Sequence, residues 1–327
     1  MKRRSVLAGL GMAASLIVEG PRVGRAQAYP DRPIRLIVPY APGGSADTSA
    51  RIAAEKLARL LGQTVVVENK AGGGTIIGTE SVVRARPDGY TLLLTPAALI
   101  ANAAFGVKVP YDIDKDLVPV VGFVDLAVLL AAANDAPFKS VAELLAYAKA
   151  DPRRPIPYAS AGVGSLTHLW AEFVKARTGM PLEHVGYKGS ADALKDVIAG
   201  HVPLFSDVLV PTATSIRAGK VRGLAVATRE RVELLPDVPT VGEAGLPGTE
   251  CTIPFGISVP AGTPAEIVAR LNAAFNEALA DKAVRQKMTE LGFMPIGGKP
   301  EAYAAVVAAE ITKWRQVIKD QNIPPPN

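Results

Sequence analysis

Three turns rich in glycine and serine stand where the chain could bind an anion. Residues 44–47 and 189–192 both read Gly-Ser-Ala-Asp, and residues 162–165 read Gly-Val-Gly-Ser. Each turn follows a short apolar run and precedes an amphipathic run, which predicts a strand-to-helix turn with the serine at the helix N-cap. Free backbone N–H groups and the positive end of the helix dipole favour an anion there. Routine capping explains any one turn, but the recurrence favours a shared binding site.

Asp47 is an acid within the first of these turns, at a place where a bound anion would repel it. Three roles are open for its carboxylate. It accepts N–H bonds in the first helical turn, it orients a water that bridges to the ligand, or it meets the ammonium group of an amino-acid ligand.

The residue types that usually carry catalysis do not form a persuasive set. His168, His184 and His201 lack the spacing of metal ligands, and the sequence has no nucleophile elbow, Walker loop or dinucleotide fingerprint. The alternative that stays open is a secreted hydrolase of small carboxylic esters or amides, using Ser160 with His168. Cys251 is the one cysteine and predicts a buried, inert thiol. We expect no enzyme, no cofactor and no metal.

The first 28 residues have the composition of an export signal. A basic MKRR start precedes an apolar run, and Ala-Gln-Ala at 26–28 is a cleavage signal, so we expect removal near Ala28 and a periplasmic protein. Arg3-Arg4 leaves twin-arginine and general secretory export both open. Five basic residues and one acidic residue in this segment account for most of the net charge of +5. The remainder gives no electrostatic reason to expect a nucleic acid.

The elements that must position the turns alternate between strand and helix. A βαβαβ block is predicted over 34–96, a second α/β block begins with a strand at 128–133, and a strand at 253–260 follows a Pro/Gly-rich connection. This order predicts an α/β fold of two lobes, each a mainly parallel sheet flanked by helices. The predicted lobes are 29–123 with 253–327, and 124–252, after removal of 1–28.

Five long motifs, in order along the chain, resemble the substrate-binding proteins of tripartite tricarboxylate transporters, also called Bug receptors. The motifs are YPDRPIRLIVPYAPGGSADTSAR, VENKAGGGTIIGTESVVRARPDGYTLL, YASAGVGSLTHL, VGYKGSADALKDVIAGHV and GKVRGLAVATRERVELLPDVPTVGEAG. The resemblance implies a periplasmic receptor with a two-lobed Venus-flytrap fold, which closes on a small carboxylate and delivers it to a membrane permease. Such a receptor is expected to be a monomer without turnover.

The resemblance also implies which residues hold the carboxylate. The main contributors are a proline-aromatic-x-x-Gly-Gly loop and a Tyr-x-Ser-x-Gly-x-Gly-Ser loop. The implied ligand-binding residues are Tyr40, Pro42, Gly43, Gly44, Ser45, Asp47, Gly73, Ser160, Gly162, Val163, Gly164, Ser165, Thr167, Ser190 and Asp207. Neither main loop contains an arginine, so we expect N–H groups, hydroxyls and water to hold the anion. A di- or tricarboxylate, an acidic amino acid and an aromatic acid all remain candidates.

Two positions depart from the pattern of the resembling family. Pro203 stands where relatives usually carry an acid, and Ser206-Asp207-Val208 stands where they usually carry Phe-Asp-Asn. The wall near Asp207 is therefore expected to differ and to alter selectivity without changing the grip on the carboxylate.

Overall fold

The structure is a computed structural model that describes residues 29–187 and 189–325. The predicted export signal, residues 1–28, lies outside the described residues.

The chain opens with the βαβαβ block that the sequence predicts. Strand β1 (Ile34–Val38) lies between β2 (Val65–Asn69) and β3 (Thr91–Thr95), and all three are parallel. Helices α1 (Ser45–Leu61) and α2 (Ile76–Val83) connect them. The strands β1 and β3 are almost wholly apolar, as expected of parallel strands covered on both faces.

Two short helices follow β3. Helix α3 (Ala97–Phe105) and helix α4 (Ile113–Asp116) precede the second block, and the sequence analysis did not predict either of them. Asp112 caps α4 by accepting the N–H groups of Asp114 and Lys115.

The longest strand joins two sheets. Strand β4 (Leu117–Ala133) has 17 residues, whereas the sequence predicted a strand only at 128–133. Its first part, Leu117–Ala127, pairs with β9 (Thr252–Pro260), and its last part pairs with β7 (Leu204–Val208) and β8 (Val221–Val226). The register shifts between Pro119 and Val121 and between Gly122 and Val124, which is how the strand accommodates its proline and glycine.

The second block contributes the other half of the molecule. Strand β5 (Ile156–Ala159) lies parallel to β6 (Leu182–Val185) on one side and to β7 on the other. Its helices are listed in chain order: α5 (Val141–Ala150), α6 (Leu166–Thr178), α7 (Ser190–Ile198) and α8 (Leu209–Arg217).

The chain then returns to the first sheet through β9, which pairs with β3 as well as β4. The remaining elements are α9 (Ala265–Ala280), α10 (Lys282–Glu290), β10 (Phe293–Gly297) and α11 (Pro300–Asp320). Buried Trp314 of α11 packs edge-to-face on Phe173 of α6, so this last helix contacts both blocks.

The α/β class is confirmed, and both sheets are mixed because β4 and β9 run antiparallel to their neighbours. The predicted lobe boundaries fall within β4 and at the start of β9, the two strands at the junction between the sheets, and they stay predictions. Within the described residues, no helix is long and apolar enough to cross a membrane.

Candidate ligand-binding cleft

A cavity of about 760 Å³ lies between the two blocks, at the ends of the strands that lead into the glycine-serine turns. Helices α1, α6 and α7 each begin at this cavity. The first two residues of all three helices line it, and they are Ser45, Ala46, Leu166, Thr167, Ser190 and Ala191. The N–H groups at these positions have no partner within their own helix. Three positive helix ends therefore converge on one space, and α3 also begins there with Ala97 and Ala98.

The predicted serine caps are only partly present. Ser165 is the N-cap of α6 and accepts the N–H of His168 at 3.2 Å. At α1 and α7 the N-cap residue is Gly44 or Gly189, without a side-chain cap, so the prediction that Ser45 and Ser190 occupy the cap was wrong. Glycine is acceptable at an N-cap, and the exchange leaves the N–H groups of both helix starts uncapped.

Asp47 stabilises the first turn through hydrogen bonds on the side away from the cleft. Its Oδ2 accepts the N–H of Gly43 at 2.9 Å, and the guanidinium of Arg51 donates to both carboxylate oxygens at 3.0 Å. Burial alone would raise the pKa of Asp47, but the hydrogen bonds from Arg51 and Gly43 outweigh it and hold the pKa below the usual range. The carboxylate does not line the cleft.

Arg51 connects Asp47 to the next strand through hydrogen bonds that we call the brace. The sequence analysis missed Arg51. Its second nitrogen donates to Asn69 Oδ1 at 3.1 Å, and Asn69 Nδ2 donates to the carbonyl of Tyr40 at 3.1 Å. Asp47 and Arg51 stand at i and i+4 on α1, a spacing that places two side chains side by side on a helix. The i and i+4 spacing was therefore the signal in the sequence that could have predicted this ion pair.

The second turn is also held internally. Ser165 Oγ lies 2.7 Å from the carbonyl of Gly162, and the Gly164 N–H donates to His168 Nδ1 at 3.2 Å. The Gly164 N–H is therefore already used, and the donors of this loop that stay available among the described residues are the N–H groups at the start of α6. Gly162 and Gly164 have φ of +132° and +76°, values that favour glycine.

A cluster of three aromatic rings, those of Tyr158, His168 and His184, packs next to this loop. The rings of His168 and His184 lie 4.0 Å apart, and burial lowers both pKa values to about 4, so both rings are neutral near pH 7. Ser160 is fully buried and meets Nε2 of His184 at 2.8 Å, not His168. Glu172, the neighbouring carboxylate, accepts the hydroxyl of Tyr158 at 2.7 Å. This arrangement has no exposed nucleophile, which removes the basis of the hydrolase alternative.

Asp207 lines the cleft on the side of the second block. Its side chain is 1% exposed, Oδ1 accepts its neighbour's N–H from Val208 at 2.7 Å, and Oδ2 has no hydrogen-bond partner among the described residues. Burial raises the pKa of Asp207 to about 6, against the opposing effects of the nearby Ser190 hydroxyl and the Val208 N–H. Pro203, the other departure from the family pattern, precedes β7 at the end opposite Val208 and does not line the cleft.

Ten of the residues implied by the resemblance line this cavity: Tyr40, Gly44, Ser45, Gly162, Val163, Gly164, Ser165, Thr167, Ser190 and Asp207. Pro42, Gly43, Asp47, Gly73 and Ser160 do not line it, and Gly74 takes the place expected of Gly73. The sequence analysis missed an apolar wall from α3, β4 and β9, which includes Ala97, Leu126 and Phe255. In the described part of the chain, no group of three or more His, Cys, Asp or Glu side chains could hold a metal ion.

The sequence pattern of the tripartite tricarboxylate transporter family receptor, TctC, matches residues 49–323. The chain belongs to this receptor family. A relative from Pseudomonas sp. strain P51, named a UPF0065 protein in the tcbD-tcbE intergenic region, is 39% identical over 322 residues, which cover 98% of this chain and 95% of the relative.

Two solved members of similar fold carry carboxylates. A Rhodopseudomonas palustris protein solved with adipate is 36% identical, with a TM-score of 0.82 over 91% of this chain and 100% of the other. MatC from Rhodopseudomonas palustris, solved with malate, is 34% identical, with a TM-score of 0.76 over 89% and 100%. The predicted two-lobed fold and the solute-binding receptor class are confirmed, and the receptor family is not an enzyme family.

Proposed function

We propose that this receptor captures a small carboxylate in the cleft between its two blocks and delivers it to the permease of a tripartite tricarboxylate transporter. The observation that carries the proposal is the convergence of the α1, α6 and α7 N-termini on one cavity. Three sets of free N–H groups, each at a positive helix end, bind a carboxylate without an arginine. The adipate and malate held by the two similar receptors support the ligand class.

The proposal includes the location and the assembly state. The chain is exported with its signal removed near Ala28, and it acts in the periplasm as a monomer of two lobes, 29–123 with 253–327 and 124–252. N-terminal sequencing of the exported protein and its mass in solution test these points. A first residue within the apolar run of the signal, or a stable dimer, would contradict them.

The test of ligand class is calorimetry of the purified protein against pairs of carboxylic acids and their primary amides, such as adipic acid with adipamide. We expect binding by at least one acid and a loss of about 100-fold or more for its amide, because the helix N-termini act on a full negative charge. Equal binding of an acid and its amide would contradict a carboxylate site.

The test of the helix N-termini is a matched pair of variants at Ser45, the first residue of α1. Ser45→Pro removes the N–H and the hydroxyl, and proline is tolerated at this position because the N–H has no intrahelical partner. Ser45→Ala removes the hydroxyl alone. We expect Ser45→Pro to weaken carboxylate binding about 10- to 100-fold, the worth of a hydrogen bond to a charged group, and Ser45→Ala to weaken it less.

Both variants are first checked for an unchanged urea midpoint. Equal affinity of Ser45→Pro and Ser45→Ala would contradict the role of the N–H group. Delivery is tested separately, as uptake of the bound acid by cells with and without the receptor gene, and unchanged uptake would contradict it.

A further inference from the structure

The part of the cleft beyond the helix N-termini is apolar. Ala97 and Ala101 of α3, Leu126 of β4, and Ile253 and Phe255 of β9 face it from the first block and the junction. Ile198 of α7 faces it from the second block and is 41% exposed. An exposed large apolar side chain on the wall of a cleft loses its contact with water when an apolar group of the ligand covers it.

The same region offers a second carboxylate one neutral donor, the buried Nδ2 of Asn102, which has no hydrogen-bond partner among the described residues. Among the described residues that line the cleft, Lys195 is the one cation, and its side chain is 76% exposed and pairs with Asp192 at 3.1 Å. An exposed lysine that already has a partner gives a second carboxylate little stabilisation. Asp207, by contrast, is buried and repels an anion placed beside it.

One carboxylate oxygen of Asp207 also lacks a donor, because the Val208 N–H goes to Oδ1 and the nearby Ser190 hydroxyl makes no hydrogen bond to Oδ2. Its Oδ2 is buried at the cleft without a hydrogen-bond partner among the described residues, and leaving such an oxygen unpaired is costly. A hydroxyl or amino group on the ligand would supply the missing donor.

We propose that the ligand is a monocarboxylic acid with an apolar body and one hydrogen-bond donor that reaches Asp207. The inference rests on the proposed carboxylate site and states what the rest of the molecule must be. Its carboxylate meets the starts of α1, α6 and α7, its body covers the apolar wall, and its donor satisfies Oδ2. Such a ligand differs from the dicarboxylates with which the two similar receptors were solved, adipate and malate.

The first test compares affinities across one panel by calorimetry: the three hydroxybenzoate isomers, benzoate, 4-carboxybenzoate, adipate and malate. We expect one hydroxybenzoate isomer to bind most tightly and benzoate to bind about tenfold more weakly. The dicarboxylates should bind at least tenfold more weakly than benzoate. Tighter binding of adipate, malate or 4-carboxybenzoate than of every monocarboxylate would overturn the inference and leave the proposed function intact. Failure of every acid, including further aliphatic and amino acids, would overturn the proposed function itself.

The second test uses two variants of Asp207 that separate charge from hydrogen bonding. Asp207→Asn removes the charge and keeps an acceptor, so the dicarboxylates should gain about tenfold relative to benzoate. Asp207→Leu removes the acceptor with a side chain of similar size, so the preference for the hydroxybenzoate over benzoate should disappear. Glu183→Gln, at an exposed acid of β6 that does not line the cleft, is the control and should leave both ratios unchanged.

Both ratios are measured within one protein, so a variant of reduced stability still gives a valid result while it is folded at the assay temperature. Unchanged ratios in both Asp207 variants would show that the ligand does not contact this carboxylate.

Discussion

The carboxylate of Asp47 lies behind the glycine turn, where it accepts the Gly43 N–H and pairs with Arg51. An acid in a turn that we propose to bind an anion is thus compatible with the site, because Arg51 neutralises its charge and the carboxylate does not line the cleft. The second Gly-Ser-Ala-Asp copy differs. Asp192 is exposed and pairs with Lys195, so the same four letters give a brace in one block and a surface ion pair in the other.

We predict that Asp47→Asn weakens the binding of all ligands about two- to fivefold. The variant keeps an acceptor for the Gly43 N–H but loses the ion pair with Arg51, and that pair is worth no more than about 1 kcal/mol because Arg51 is half exposed. Calorimetry with an acid that lacks an amine and an amino acid of similar size measures the effect. Asp192→Asn is the matched control and should bind normally.

A different result would contradict this role of Asp47. A loss confined to the amino acid would show that Asp47 meets an ammonium group and would contradict the brace.

The sequence analysis predicted the helices and strands that depend on local signals. It missed those that depend on pairing between distant strands. The βαβαβ block and the three helix starts follow from short motifs, because capping and strand signals act over a few residues. Strand β4 was predicted only at 128–133, since Pro119, Gly122 and Asp125 interrupt the apolar run that precedes it. The ladder with β9 holds the interrupted part in place through two register shifts, a long-range effect that no local pattern reports.

The cleft also has one part that local motifs predicted and one part that depends on strand pairing. The end of the cleft where α1, α6 and α7 begin comes from three similar motifs and was predictable. The apolar wall comes from α3, β4 and β9, which are far apart in the sequence and meet because β9 pairs with both β3 and β4. Ala97, Leu126 and Phe255 carry no motif, so their common location follows only from the strand order.

Strand β9 and helix α11 approach closely at Gly256, where a Cβ atom would lie 2.1 Å from the ring of Tyr303. We predict that Gly256→Ala lowers the free energy of unfolding by about 2–3 kcal/mol through overpacking. Urea denaturation measures the loss. In a Tyr303→Ala background the same substitution should cost less than 1 kcal/mol, because the ring is gone.

A similar cost of Gly256→Ala with and without the Tyr303 ring would contradict this account. The result would place the strain in the backbone of β9.

The junction between the two sheets has two different faces. Leu126 and Ile253 are paired across β4 and β9 and face the ligand cleft. Their neighbours Asp125 and Thr252 face a second cavity of about 520 Å³. Because successive side chains of a strand point to opposite faces, any bend of β4 and β9 that narrows the first cavity widens the second.

We predict that this opposition makes ligand affinity depend on pH through Asp125. Burial and the nearby Glu310 raise the pKa of Asp125 to about 6, against a hydrogen bond from Thr252. The other charged residues that line its cavity are Arg229, Glu230, Arg231, Glu233, Glu250, Glu310 and Lys313. Widening the cavity admits water and lowers that pKa, so closure releases a proton. Affinity should therefore rise as the pH increases from 5 to 7.5.

The measurement is the ratio of affinities at pH 7.5 and pH 5, with Asp125→Asn as the comparison. The variant cannot release this proton, so its ratio should be about three- to tenfold smaller than that of the wild type, up to about one pKa unit of coupling. Protonation of the ligand and of Asp207 affects both proteins equally and cancels. Identical ratios would contradict the coupling.

The pairing of β3 with β9 also has a consequence for biosynthesis. Leu93 of β3 pairs with Ser258 of β9, so this edge of the first sheet has no partner until the later strand has been made. At about 5–20 residues per second, the interval during synthesis is on the order of 10–30 s. For that time the apolar run Thr-Leu-Leu-Leu-Thr at 91–95 is an open edge strand, the kind of surface that pairs with other chains. Pairing of this edge with other chains therefore competes with folding until β9 is available.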